Sequence, residues 1–377
     1  MLKRKSLLLR FIFLLIVYTN FGVNFSFATL QCTNPNPNPN PNYPYLILDV
    51  INNPEYPRNF RSSRTPYPRH TDTNAPSRIG LESLNISGSA EFTQTNFNHM
   101  FRDLNITTAY IVDLRQESHA FLNTTPVSWY GYENAENKNK SPQEIEALEN
   151  QLTDNLSKQK ETIVYDRIKK EPQMAFKPRN FSYQTASTEK TFVESKGFKY
   201  SRIYVLDEHA PTDMEIDQFV EFVKAIPQDS WIHFHCHAGD GRTTTFMILY
   251  DMIRNADKVS SDDIIRRQAL LGGVNFHDVI NLTPEKISMN QERLKQMEAF
   301  YQYVKDPKGY AGNSWSSWLK AQGDRVATIN FRIQFNLALA RKARSTVAQY
   351  QISCILKSIA ATPILSALSK KLYIYIA

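Results

Sequence analysis

Apolar residues change their period along this chain, and each change predicts an element. AYIVDL, inside TTAYIVDLRQES at 107–118, is a continuous apolar run giving way to polar residues, the pattern of a buried strand entering a loop. YSRIYVLD (200–207) and WIHFH (231–235) read as two further strands. Residues 140–162 are charged and rich in helix formers. Thr212 is placed to cap a helix over 213–226, with Phe219, Phe222 and Val223 on its apolar face. TTTFMILYDMIRNA (243–256) predicts another helix, and two more follow near 260–271 and 284–305. Strands alternating with helices indicate an α/β domain around a central sheet. INFRIQFNLALA (329–340) has apolar residues at every second position, which favours a strand.

The ends of the chain break this pattern. Lys3, Arg4, Lys5 and Arg10 precede a short apolar run, FIFLLIVY at 11–18, and Ser26-Phe27-Ala28 fits a small-x-small cleavage site. Residues 1–28 therefore read as a signal peptide, and the expected location is periplasmic or secreted. NPNPNPNPN (34–42) cannot form helix and favours an extended spacer, so 29–54 is assigned as a linker. Residues 55–320 form the expected folded domain, and 321–377 a basic tail. From 321 onward eight Lys or Arg stand against one acid, Asp324, so the tail carries the whole formal excess of +7. The rest is close to neutral. No nucleic-acid signature and no zinc-type cysteine spacing occurs, so neither a nucleic-acid partner nor a metal or other cofactor is expected. Membrane contact would fall to the tail. In an oxidising compartment Cys32 and Cys354 are open to pairing, which leaves Cys236 free to act as a nucleophile.

HCHAGDGRTT (235–244) is the stretch where chemistry is expected. Cys236 and Arg242 lie five residues apart between a strand and a helix, a spacing suited to holding a phosphate over a thiol. His237, Ala238, Gly239, Asp240 and Gly241 form the loop between them. Its two glycines let successive N–H groups turn inward as an anion nest, and the helix N-terminus adds positive potential. Arg242 can clamp two phosphate oxygens with its planar fork. The same field favours thiolate as the attacking species, and Thr243 can donate to the sulfur as it leaves. Cysteine attack on a phosphomonoester also needs an acid for the leaving oxygen. Asp207, at the end of a strand in VLDEHAPTD, is the candidate, with Glu208, His209 and Asp213 as rivals.

HCHAGDGRTT resembles the phosphate loop of the bacterial cysteine phytases, the protein-tyrosine-phosphatase-like inositol polyphosphate phosphatases. VDLRQESHAFLN and PVSWYG within 112–131, LNISGSAEF (84–92), IPQDSWIHFHC (226–236), RRQALLGG (266–273) and GNSWSSWLK (312–320) share the resemblance. It implies a phosphatase-like fold, a central mixed sheet flanked by helices, with a small β subdomain from parts of 55–100 and 130–195. It implies Cys236 as nucleophile, Arg242 as phosphate arginine and Asp207 as general acid. Outlying phosphates would meet Lys286 and Arg293, Arg61 (Arg58 as rival), and Lys169 and Lys170. Gln268 would position the hydrolytic water. This chain has Glu208 where the family usually has histidine, with His209 one place on, and Asn134 where an acid is usual. The implied substrate is inositol hexakisphosphate or a lower inositol polyphosphate. A phosphotyrosine or phosphoinositide phosphatase, and a non-catalytic polyphosphate-binding or host-interaction protein, are the alternatives.

Overall fold

The computed structural model describes residues 44–324, apart from 53, 69–74, 171–172, 281 and a few neighbouring side chains. The expected signal peptide, Cys32, Cys354 and the tail beyond 324 lie outside the described residues. In chain order the strands are β1 (Tyr45–Leu48), β2 (Arg61–Ser62), β3 (Ile86–Ser89), β4 (Tyr110–Asp113), β5 (His119–Leu122), β6 (Thr125–Tyr130), β7 (Glu161–Lys170), β8 (Gln173–Ser182), β9 (Ala186–Ser187), β10 (Lys199–Arg202) and β11 (Ile232–His235). The helices are α1 (Gln94–Leu104), α2 (Pro142–Gln159), α3 (Glu189–Ser195), α4 (Asp213–Ala225), α5 (Gly241–Asn255), α6 (Ser261–Leu270) and α7 (Pro284–Lys305). Residues 315–324 are also helical.

Five strands build the central mixed sheet in the order β10-β4-β11-β3-β2. β10, β4, β11 and β3 run parallel, and β2 closes the edge antiparallel to β3. Register brings Asp113, His235 and Ser89 level at the carboxyl ends of three neighbouring strands. That edge is where ligands bind in open α/β sheets. The strand alternation decides what each face holds. Ile232 and Phe234 of β11 enter one apolar cluster with Phe219, Phe246 and Met297. His233 and His235 face the other side, each packing against Phe92. There α1 contributes Phe97 and Phe101, and α3 contributes Phe192. The central helix α5 is buried along most of its length.

The second sheet has six strands, β8-β7-β1-β6-β5-β9. Its strands come from 45–48, 119–130 and 161–187. The range 55–100 contributes none of them, contrary to the expectation. The linker boundary at 54 is also corrected. Tyr45–Leu48 is fully buried and pairs with β6, from Tyr45 opposite Tyr130 to Leu48 opposite Val127. Leu46 and Leu48 join the core below α2, so the folded body includes residues assigned to the spacer.

α4 follows the loop that carries Asp207. Its expected cap is present: the Thr212 hydroxyl accepts from the Glu215 N–H, and the Glu215 carboxylate accepts from the Thr212 N–H, a reciprocal capping box. Thr212→Ala is expected to destabilise the protein by about 1 kcal/mol, read as a lower urea midpoint with an unchanged slope.

Candidate active site

Cys236 follows the last residue of β11 and is 2% exposed. Its Sγ accepts from the Gly239 N–H at 3.2 Å and from Thr243 Oγ1 at 3.2 Å. Gly239 has φ +74, and a Cβ there would stand 2.3 Å from the Ala90 nitrogen, so only glycine fits. Behind the loop, Arg61 Nη1 donates to the Gly239 carbonyl and its Nη2 to Thr244 Oγ1, both at 2.9 Å. Asn59 Nδ2 holds the Ala238 carbonyl and Asp240 Oδ1 at 2.9 and 2.7 Å. With these carbonyls tied back, the Gly239 N–H is aimed at the sulfur.

Arg242 stands in the first turn of α5 with its fork fixed. Nη1 donates to Glu117 Oε2 at 2.7 Å and Nη2 to Glu117 Oε1 at 2.9 Å, while the Val205 carbonyl takes a third bond at 3.0 Å. Nη2 is also 2.9 Å from Asp207 Oδ1. Burial pulls the guanidinium's pKa down, but Asp207 and Glu117 outweigh it and hold it above the ordinary arginine value. The other oxygen of Asp207 accepts from Asn134 Nδ2 at 2.9 Å, so the residue where the family usually has an acid is a direct partner of the candidate acid. The loop itself is pinned. Arg293 Nη2 donates to the His209 carbonyl at 2.9 Å, and Gln296 Nε2 to the Pro211 carbonyl at 2.7 Å.

A cavity of about 680 Å³ opens above the sulfur. Of the residues expected from sequence, it is lined by Cys236, His237, Ala238, Asp240, Gly241, Arg242, Asp207, Glu208, Lys286 and Arg293. Three expectations are corrected. Arg61 is 2% exposed and serves the loop's rear, while its rival Arg58 lines the cavity. Burial also pushes the Arg61 pKa down, to about 10, against the pull of Cys236 and Asp240. Gln268 is buried in the core, donating to Asp251 Oδ2 at 2.8 Å, because Asp251 must also satisfy buried Arg267. It does not line the cavity. His209 is exposed, turns its Nδ1 to the Asp207 carbonyl at 2.7 Å and does not line the cavity. The side chains of Lys169 and Lys170 lie outside the described set.

Beneath the floor lies a set of buried charges that sequence reasoning missed. Arg115 reaches Asp49, Glu91 and Glu117 at 2.9, 2.6 and 2.9 Å. Arg202 holds Asp113 and Glu149, each at 2.9 Å. Glu189 takes His119 Nε2 and His235 Nε2, each at 2.8 Å. Asp49 also sits 3.4 Å from His237 in the phosphate loop. Burial pushes Glu117 up, but Arg242 and Arg115 win and hold it well below the usual carboxylate range. The signal was present in the sequence. In VDLRQESH charged or ionisable residues recur at alternate positions, Asp113, Arg115, Glu117 and His119, where a buried strand end should be apolar. Two buried triads, Glu91–Glu189–His235 and Asp113–His119–Glu189, bring ligand atoms within 4.8 Å of one another, a spacing a cation could use. In both, the imidazole already pairs with Glu189.

Arg115→Met removes the cation shared by Asp49, Glu91 and Glu117 and should cost about 3–5 kcal/mol in urea unfolding. The histidines set a pH dependence. Burial pulls the His235 pKa down, but Glu189 and Glu91 raise it overall from 6.5 to about 9. His119 is also raised, as Asp113 and Glu149 overcome burial and Arg115. A raised folded value stabilises most below the unfolded value and loses that stabilisation as pH rises through the folded one. Unfolding free energy should therefore fall between pH 6.5 and 9, by an amount on the order of 3 kcal/mol, in denaturant titrations at each pH.

Comparison with known proteins agrees with this geometry. The family model for PTP-like phytase (inositol hexakisphosphate) matches residues 112–254, which run from β4 through the phosphate loop into α5. The effector protein hopD2 of Pseudomonas syringae pv. tomato is 29% identical over 215 residues, 55% of this chain and 45% of that one. The PTP-like myo-inositol phosphatase of Mitsuokella multacida, solved with myo-inositol-(1,3,4,5)-tetrakisphosphate, is 32% identical with a TM-score of 0.69, covering 74% of this chain and 48% of that one. The chain thus spans about half the length of each of these two relatives. A PTP-like phytase from Bdellovibrio bacteriovorus is 31% identical with a TM-score of 0.57, covering 73% of this chain and 94% of that one. With nearly all of that relative matched, and with Cys236, Arg242 and Asp207 gathered at one sheet edge, this chain belongs to the PTP-like phytase family.

Proposed function

We propose that this protein is a cysteine-dependent phosphomonoester hydrolase acting on inositol polyphosphates, exported by its N-terminal segment. One observation carries the reading: the Cys236 sulfur, held by the Gly239 amide and the Thr243 hydroxyl, lies at the floor of a cavity that Arg242 and Asp207 also line. The Cys236 thiolate attacks phosphorus as the ester P–O bond breaks, and Asp207 gives its proton to the leaving oxygen. Water then attacks the cysteinyl phosphate, Asp207 accepts its proton, and the S–P bond breaks to release phosphate. Loop amides and Arg242 stabilise the equatorial oxygens in both steps. In the structure Arg242 Nη2 contacts Asp207, so an arriving phosphate takes that position on the guanidinium and frees the carboxyl for the leaving group. Thr243 keeps its bond to the sulfur as it departs. The inositol substrate rests on family membership and on the tetrakisphosphate bound by the Mitsuokella relative.

The likeness to an effector protein supports a second reading, that the same chemistry acts on a host phosphoprotein. A phosphate-release panel of inositol phosphates, a phosphotyrosine peptide and a small aryl phosphate separates the two. Cys236→Ser should reduce release to background on every substrate, and a chelator should leave the wild-type rate unchanged. Asp207→Asn should lower kcat about 100- to 10,000-fold on inositol phosphates and far less on an aryl phosphate, whose leaving group needs no acid. Equal rates for Cys236→Ser and wild type would refute the enzyme reading.

A further inference from the structure

The cavity rim has an unexpected charge balance for a polyphosphate site. Beyond Cys236, Arg242 and Asp207, its cations are Arg58, Lys286 and Arg293. Set among them are three carboxylates, Glu208, Asp240 and Asp278. Two more, Asp166 and Asp49, pair with Arg179 and Arg115 and drop out of the balance. The rim therefore carries no formal net charge. Inositol hexakisphosphate would leave five phosphates outside the loop, each facing carboxylates as often as cations. Like charges at this range repel, and a carboxylate offers a phosphate dianion no hydrogen to accept. Ring hydroxyls are the opposite case, because they donate and carboxylates accept.

The positions reinforce the balance. Asp240 sits within the phosphate loop, oriented by Asn59, and lines the cavity. Glu208 follows Asp207 directly, lines the cavity beside Arg293 and acts electrostatically on it. Asp278 is oriented by the Ile280 N–H at 2.9 Å. From these juxtapositions we infer that Glu208, Asp240 and Asp278 are specificity-determining residues, selecting an inositol with at least as many hydroxyls as phosphates. The inference rests on the inositol reading above and narrows it.

Such a ring exists free in solution and as a lipid headgroup, and the mouth bears on the lipid source. Ile51 lines the cavity and is 40% exposed, while Val279 and Ile280, beside Asp278, are 57% and 71% exposed. Apolar residues in these positions would meet the acyl boundary of a bilayer presenting the headgroup.

The test measures kcat/KM for inositol hexakis-, tetrakis- and bisphosphate, with a small aryl phosphate as the check on folding and chemistry. Wild type should favour the bisphosphate. The triple variant Glu208→Gln, Asp240→Asn, Asp278→Asn should raise the hexakis-to-bisphosphate ratio about tenfold, with the gain shrinking at high salt. A wild-type preference for the hexakisphosphate, or an unchanged ratio in a variant that still turns over the aryl phosphate, overturns the inference. Turnover of aryl phosphate with no inositol phosphate hydrolysed would instead overturn the inositol reading itself. A further arm compares vesicles holding a phosphatidylinositol monophosphate with its soluble headgroup. Loss on vesicles alone in Ile280→Asp identifies the lipid source. Rates unchanged from wild type on both substrates in that variant identify the free ring.

Discussion

A buried guanidinium bound on both nitrogens to a buried carboxylate is the constraint on which this site depends. Glu117 takes both ends of the Arg242 fork, and Arg115 holds Glu117 from the other side. Moving such charges out of water is costly, and only near-complete pairing offsets it. The pairing here extends well past the pair itself. Arg115 leads to Asp49 and Glu91, Glu91 lies near His235, and His235 leads through Glu189 to His119 and Asp113. Arg242 is thus fixed by charges drawn from both sheets. Its position is settled before any ligand arrives, which is the preorganisation that makes electrostatic catalysis effective.

Much of the central sheet was legible because its strands and helices follow simple periods. The helix capped by Thr212 and the strand ending at His235 lie where the pattern put them. α5 starts at Gly241, two residues earlier than the apolar pattern suggested, because Gly241 and Arg242 have no apolar period to mark them. The second sheet was harder to read. Residues 177–180 of β8 are exposed and Ile163 of β7 is 52% exposed, so no apolar alternation announces these strands. β1 was hidden by the proline-rich run before it. At the site, the loop residues were legible from spacing alone, since a thiol, two glycines and an arginine in that order have few other uses. Arg61 and Gln268 were misassigned because a buried polar side chain and a ligand-binding one look alike in sequence. Only burial separates them.

Floor and rim are built differently. The floor joins a strand end to a helix start and is packed against β3 and the ion pairs below, so its geometry tolerates little change. Rim side chains come from the segments around 51–58, 207–208 and 274–282, which lie mostly outside regular strands and helices, and from α7, which carries Lys286 and Arg293. Chains sharing the floor can therefore differ in the ligand they prefer without altering the bond-breaking step.

Arg293 belongs to both regions. It lines the cavity, approaches the loop so closely that a Cβ on Gly241 would stand 3.1 Å from its Nη2, and donates to the backbone two residues after Asp207. One side chain is thereby shared between ligand and acid loop. A ligand that draws this guanidinium inward would also pull on the segment that carries Asp207, which in the proposed reaction would couple recognition at the wall to protonation of the departing oxygen.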